Sequence, residues 1–437
     1  MFKSIVVSLL EWQAKRLLRK HKPRVVAITG SIGKTSTKLF TATVLGQHWR
    51  VLAHEGNHNT EVTIPLSLFN IELPDSLKSP LAWLAVLRET GRRLKQPFEY
   101  DVVVLELGTD KPGDIARFGK YLRADIGVVT AVVPEHMEFF KTIEAVAQEE
   151  LTVVGFSQFS LLNIDDIDVG FRKNFNPGQI GTYGLGNMAQ YHYLVDSFEP
   201  VQGFTGKFVA PEFGERPVAL KLLGEHNIKS AVAAGAIAVK LGLGADEVAL
   251  AMQKIQPVPG RMQLLRGLKE STLIDDTYNS SPTAAVAALQ TLYSFDTEQR
   301  IAILGSMNEL GDYSEKAHQE VGLACDPAKL EWVITIGEEA EKYLAPAALS
   351  RGNQVKSFTS PLEAGAFAHK VLRPHAVVLA KGSQNRIFAE EALKMLLHTT
   401  EDEHKLVRQS PDWLAIKQSQ FENLQTSAPP AASQLKL

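Results

Sequence analysis

The chain has one cysteine in 437 residues. A single thiol, Cys325, excludes an intramolecular disulfide and a zinc site built on cysteines. It stands in the apolar helical pattern Val321-Gly322-Leu323-Ala324-Cys325, which reads as inert packing. No apolar run approaches the roughly 18 residues of a membrane span. An excess of one charge is missing too. Lys and Arg number 46 against 49 Asp and Glu, a net charge of −3, which argues against a globally basic nucleic-acid binder. The short apolar stretch 5–10 lacks a small-residue cleavage site and meets Glu11 early, so no secretory signal is read and a reducing, cytoplasmic setting is expected. No internal repeat is evident. What is there is ordinary: 45% hydrophobic and 22% charged residues, a balance that excludes wholesale disorder.

Residues 1–23 read as one amphipathic helix, with Phe2, Ile5, Val6, Leu9 and Leu10 on one face and a basic cluster from Lys15 to Arg24. Docking of its apolar face on the body of the protein is the favoured reading, over contact with a membrane surface. From residue 24 short β-branched runs alternate with helical patterns. Strands are expected at 24–29, 100–107, 125–131 and 161–164, with helices at 35–45 and 142–154 between them. This is the order of a doubly wound, mostly parallel α/β sheet. Between 178 and 222 glycines and aromatics punctuate alternating runs, which predicts a small antiparallel β element. An alanine-rich helix follows at 226–241. The run 256–261 (QPVPGR) is the linker candidate. Beyond it a second, Rossmann-like α/β series is expected, with strands at 273–274, 301–304, 332–336 and 376–380. Its helices are expected near 283–294, 314–324, 337–349, 361–372 and 386–398. The expected organisation is therefore a helix at 1–23, domains at 24–258 and 259–400, and a polar tail at 401–437, disordered from 427.

The strongest local motif is Thr29-Gly30-Ser31-Ile32-Gly33-Lys34-Thr35-Ser36, between an expected strand and an expected helix. Its glycines let backbone N–H groups approach phosphate oxygens, and a helix N-terminus favours anions. Lys34 supplies a point charge for the outer phosphates, and Thr35 offers a hydroxyl to Mg²⁺. Such a loop needs a carboxylate near its metal. Glu106 ends the apolar run 100–107, where an unpartnered carboxylate would cost several kcal/mol. His136 follows another strand, just past a carboxyl end where ligands gather in such sheets.

Taken together, the loop, Glu106 in LELGTDKPGDI and His136 in VVPEHMEFF resemble, in order, the ATP and Mg²⁺ motifs of the Mur ligase family over about residues 24–398. Gly56-Asn57-His58-Asn59, Gly224-Glu225-His226-Asn227, Asp275 to Pro282 (DDTYNSSP), Leu304 to Gly311 (LGSMNELG) and Lys381-Gly382-Ser383 are similar to the group within it that adds D-alanyl-D-alanine to a UDP-muramoyl peptide. The resemblance implies a peptidoglycan-precursor ligase. ATP would activate a carboxylate as an acyl phosphate, and an amino acid or dipeptide amine would then attack it. It further implies the loop residues 29–36, Asn227 (adenine) and Arg261 as ATP contacts. Thr35, Glu106 and His136 would face Mg²⁺. Asn57, Asn59, Asn279, Ser280 and Lys381 would serve the substrates or a state closed by the hinge at 256–261.

Two departures from the family pattern bear on substrate. Only residues 1–23 precede the ATP domain, where the family carries a UDP-sugar domain, so that site is expected to be absent, replaced or supplied by a partner chain. The helix after the His motif reads Ala147-Gln148-Glu149-Glu150-Leu151 in place of the family's carbamylated lysine. Glu150, with Glu149 as the alternative, is expected to take over its metal-linked role. The competing readings are a ligase of the same fold on another acid, of the polyglutamate or folate type, a P-loop GTPase using Asp110-Lys111-Pro112-Gly113, and a non-catalytic binding module. The absence of an Asn-Lys-x-Asp guanine motif opposes the GTPase.

Overall fold

The computed structural model describes residues 2–427, apart from Glu55, Asn57, Asp75 and Asn174. Packing divides the chain into two units, Met1–Gln256 and Pro257–Leu437.

The first unit is built on nine strands, β1 Arg24–Thr29, β2 Val51–Ala53, β3 Val102–Glu106, β4 Ala124–Val129, β5 Ser157–Asn163, β6 Ile180–Gly184, β7 Tyr191–Glu199, β8 Gly203–Ala210 and β9 Gly214–Leu220. They lie in the order β2-β3-β1-β4-β5-β6-β7-β8-β9. Pairing is parallel from β2 to β7 and antiparallel from β7 to β9, which is the appended β element expected from the glycine-punctuated runs. Strands β1, β3 and β4 are buried along nearly their whole length, as runs such as RVVAIT and VVVLE require when helices cover both faces. Helix Glu225–Lys240 packs along helix Lys34–Leu45, and its run of small alanines suits the close approach. Helix Phe2–His21 docks through Val6, Val7, Leu10, Ala14 and Leu17, all buried, and Glu11 is paired with Arg117 at 2.6 Å.

The second unit carries β10 Gln263–Arg266, β11 Thr272–Asp276, β12 Arg300–Gly305, β13 Trp332–Ile336, β14 Val355–Phe358 and β15 Val377–Lys381. Their order is β10-β11-β15-β12-β13-β14, all parallel except the antiparallel edge strand β10. Strands β2, β10 and β14 and helix Pro80–Arg93 are additions to the sequence reading. The three strands have only three or four residues, too few to display a period.

The expected polar tail differs most. Residues Thr400–Lys405 form a 3₁₀ turn and Pro411–Ser427 a helix. Lys417, 2% exposed, pairs with Glu390 at 2.9 Å and Glu391 at 2.6 Å, and Arg408 pairs with Glu390 at 2.7 Å. The polar segment packs because its cations neutralise Glu390 and Glu391 of the preceding helix inside the unit. Residues 428–437 of the expected disordered end lie outside the described residues.

Candidate active site

The phosphate loop is shaped by its neighbours. Gly30 has φ 124°, and a Cβ there would lie 2.1 Å from Thr130 Oγ1, so glycine is required. Thr130 Oγ1 is within hydrogen-bonding range of Thr29 O and Ile32 O. The Ser31 N–H donates to Ala131 O at 2.9 Å, and the Val133 N–H donates to Ser31 Oγ at 3.1 Å. The residues just past β4 thus strap the loop. Gly33, in the left-handed region at φ 84°, turns the chain into helix Lys34–Leu45 and directs its first N–H groups at the loop's concave side. Lys34 Nζ donates to Gly30 O and Ser31 O and lies 3.6 Å from Glu135 Oε2.

Parallel pairing sets Ile28 of β1 opposite Glu106 of β3. Glu106 therefore reaches the helix start, where Thr35 Oγ1 donates to its Oε1 at 3.1 Å. Lys38 Nζ lies 3.1 Å from Glu106 Oε2 and donates to Gly56 O at 3.0 Å. Lys38 was not anticipated. The only sequence signal was its place one helical turn after Lys34. The Gly108 N–H donates to Asn59 O at 2.8 Å, which brings Asn59 beside the end of β3. Asn57 lies outside the described residues. His136 has φ 49°, unusual for a non-glycine residue and a mark of local constraint. Its Nε2 lies 3.8 Å from Glu135 Oε1 and 3.9 Å from Asp110 Oδ1. Segment 110–113 turns into helix Asp114–Phe118, with the Asp110 and Lys111 N–H groups donating to Asp114 Oδ2.

The two acids expected to take the place of a carbamylated lysine both engage backbone N–H groups. Glu150 Oε2 accepts from the Gly30 N–H at 2.7 Å, so this carboxyl supports the phosphate loop. It is 1% exposed, and burial pushes its pKa up to about 7 against the pull of Lys34. Glu149 accepts from the Gly113 N–H at 2.7 Å and the Ile115 N–H at 2.6 Å, capping helix Asp114–Phe118. In both cases backbone donors that would otherwise be buried unsatisfied claim the carboxylate.

A further cluster was also unforeseen. The His54 and His58 rings stack with centroids 3.4 Å apart, and they lie 3.0 Å and 3.4 Å from Glu72. Burial, then the His54 charge, lowers the His58 pKa. Both Nε2 atoms face the Glu72 carboxylate, and the donor atoms of the three side chains lie within 4.8 Å of one another. Asn227, 2% exposed, stands in the first turn of helix Glu225–Lys240, its Nδ2 donating to Leu223 O at 2.9 Å.

In the second unit, three motif blocks follow the carboxyl ends of the adjacent strands β11, β15 and β12. Lys381, 3% exposed, is paired with Asp276 at 2.6 Å and donates to Asn279 O at 3.0 Å. It braces the turn carrying Asn279 and Ser280, the two residues grouped with it above for the substrates or the closed state. Arg408 donates to Tyr278 O at 3.0 Å and Thr277 O at 2.6 Å and holds the same turn from outside. Arg261 lies with its guanidinium 4.2 Å from the centre of the Tyr278 ring. Asp275 is fully buried beneath, and burial pushes its pKa up to about 6.

Family models match in the same two parts: Mur ligase middle domain over residues 28–238, and Mur ligase, glutamate ligase domain over residues 260–384. The UDP-N-acetylmuramoyl-tripeptide–D-alanyl-D-alanine ligase of Bacillus subtilis is 29% identical over 332 residues, 75% of this chain and 66% of the relative. Its Escherichia coli counterpart is 29% identical over 336 residues, 74% of this chain and 67% of the relative. The chain thus spans about two thirds of the length of these curated relatives. Among solved structures, a MurF ligase from Thermotoga maritima in complex with ADP aligns with a TM-score of 0.73 at 24% identity, over 89% of this chain and 83% of that one. MurF from Acinetobacter baumannii aligns with 0.73 at 23% identity, over 89% and 81%.

Proposed function

This chain belongs to the Mur ligase family, and from that membership we propose that it is an ATP-dependent, ADP-forming amide ligase of peptidoglycan-precursor synthesis. The observation that carries the reading is the convergence, at the carboxyl ends of β3, β1 and β4, of Glu106, the phosphate loop with Lys34 and Thr35, and His136. Such a site positions phosphates and neutralises their charge, and the chemistry we propose needs no covalent enzyme intermediate. The loop N–H groups and Lys34 bind the outer phosphates. The γ-phosphoryl group passes to the substrate carboxylate, the bond to the β-phosphate breaks, and ADP leaves. The amine then attacks the acyl carbon, an amide forms and phosphate departs. ATP drives an otherwise uphill condensation.

Thr35 Oγ1 and Glu106 Oε1 are hard oxygen donors 3.1 Å apart at the start of the phosphate-binding helix, a pair that suits Mg²⁺. When bound, Mg²⁺ would neutralise phosphate charge. Imidazole is a less favoured ligand, so His136 would serve a second ion or meet the ion through water. In the second unit, Asn279 and Ser280 are the candidates for the amine substrate. The substrates we propose are a UDP-muramoyl tripeptide and D-alanyl-D-alanine, as the relatives' names imply. The setting we propose is the cytoplasm. No helix among the described residues is long and apolar enough to cross a membrane.

Phosphate release from ATP across a panel of acids and amines tests this, with mass spectrometry of the product. Turnover with the muramoyl tripeptide and D-alanyl-D-alanine is expected. Turnover only with a non-muramoyl acid would refute the substrate assignment, and no acid-dependent phosphate release would refute the ligase.

A further inference from the structure

We propose that the first unit rests on an anionic phospholipid bilayer surface through the outer faces of helices Phe2–His21 and Pro80–Arg93. The inner face of the first helix is buried, yet large apolar side chains also line its outer face. Phe2, Ile5, Leu9 and Trp12 are 43%, 55%, 43% and 52% exposed. At 100° per residue these four fall within one stripe of about 80°, centred roughly 130° from the centre of the buried set. The second helix contributes Leu81 and Leu84, 78% and 44% exposed.

The two helices run parallel and in contact. Val6 shares an apolar cluster with Trp83, Gln13 Nε2 donates to Leu87 O at 3.2 Å, and Lys20 Nζ donates to Leu94 O at 2.9 Å. On each helix the exposed stripe lies to the same side of the line joining the axes, so the two stripes form one face. A soluble protein rarely leaves such a contiguous apolar patch without an occupant.

Charge selects the occupant. Arg16, Arg19 and Arg88 continue the same stripes beyond the apolar residues and are exposed. The acids closest in sequence are already engaged, Glu11 with Arg117 and Glu89 with Arg92 and Arg93. The Arg16 guanidinium stands 4.7 Å from the centre of the Trp12 ring. An indole with a cation beside it suits the headgroup layer, with leucine-type side chains below it and phosphates beside the arginines. Neither helix is apolar enough to cross the bilayer, so the face lies on it. The chain's net charge is −3, so the attraction is a property of this face and not of the whole molecule.

The test is co-sedimentation of the full chain with vesicles of phosphatidylcholine alone or mixed with phosphatidylglycerol. Binding is expected only to the mixed vesicles and is expected to weaken as salt is raised. Two double variants, Ile5→Ser with Leu81→Ser and Arg16→Glu with Arg88→Glu, should each lower the bound fraction about ten-fold. All four side chains are exposed, so the thermal midpoint and ATP turnover should not move. Absence of binding to anionic vesicles would overturn the proposal. So would equal binding to both vesicle types that Arg16→Glu with Arg88→Glu leaves unchanged. Dimerisation without vesicles, abolished by the Ile5 and Leu81 changes, would assign the face to a second copy and overturn it as well.

Discussion

Lys38 Nζ lies 3.1 Å from Glu106 Oε2, and the two side chains are 2% and 3% exposed. This buried ion pair sits one helical turn beyond Lys34, so the carboxylate that faces Thr35 is also held by a second lysine of the same helix. Removing one partner strands the other charge in the interior. Lys38→Met is therefore expected to destabilise the first unit by about 3–5 kcal/mol. Adding Glu106→Gln to it should recover most of that loss without restoring turnover. Urea unfolding of the single and double variants checks this, and additive losses would show that the pair is not coupled.

Lys34 carries a different expectation. Its ammonium group contacts loop carbonyls at the mouth of the phosphate site. Lys34→Ala should leave the thermal midpoint nearly unchanged and lower phosphate release by about 10²–10³-fold, the usual effect of deleting one charge-stabilising donor. Turnover within a few-fold of the unaltered protein would remove the loop from the chemistry.

Glu150 predicts a pH dependence. Its folded pKa is raised from 4.5 to about 7 by burial. The folded state then binds more protons than the unfolded state between those values, so stability is greatest below pH 4.5 as far as this group is concerned and falls as pH rises through 7. The loss is on the order of 3 kcal/mol. Glu150→Gln keeps an oxygen for the Gly30 N–H and carries no charge. It should be more stable than the unaltered protein at pH 8 and about equal to it at pH 5. Asp275, raised to about 6, adds a dependence of the same sign in the second unit, so the variant should flatten the profile only in part. Thermal midpoints across this range, with ATP absent, decide the matter.

Lys417 should matter although it lies in a segment of polar composition. It is surrounded by Glu390 and Glu391 and is 2% exposed. Lys417→Met is expected to cost about 3–5 kcal/mol in the second unit, with ATP binding by the first unit retained. A change under 1 kcal/mol in urea unfolding would mean that helix Pro411–Ser427 is dispensable.

Cys325 is expected to be inert in the folded chain. It is fully buried, and burial pushes its thiol up to about 12. A thiol reagent should label it only after denaturation, and rapid labelling at neutral pH would contradict this placement.

The strand–loop–helix of the phosphate site was legible in the sequence because its requirements are local. Two glycines with positive φ, a lysine and a threonine stand within a single turn. Runs such as VVVLE announce strands buried on both faces, so Glu106 at a strand end could be found without coordinates. The antiparallel element and the alanine-rich helix were legible for the same reason. Nothing local told Glu150 apart as a support for Gly30, paired Lys38 with Glu106, or turned the polar segment at 400–427 into packed structure. A buried charge is stabilised by whichever opposite charge or N–H group lies within about 3 Å, and the fold alone decides what lies there. The outer stripe of the first helix is of the same kind. Its apolar residues were visible as a pattern, but only the packing of Val6, Leu10 and Leu17 into the body showed which of them remain outside.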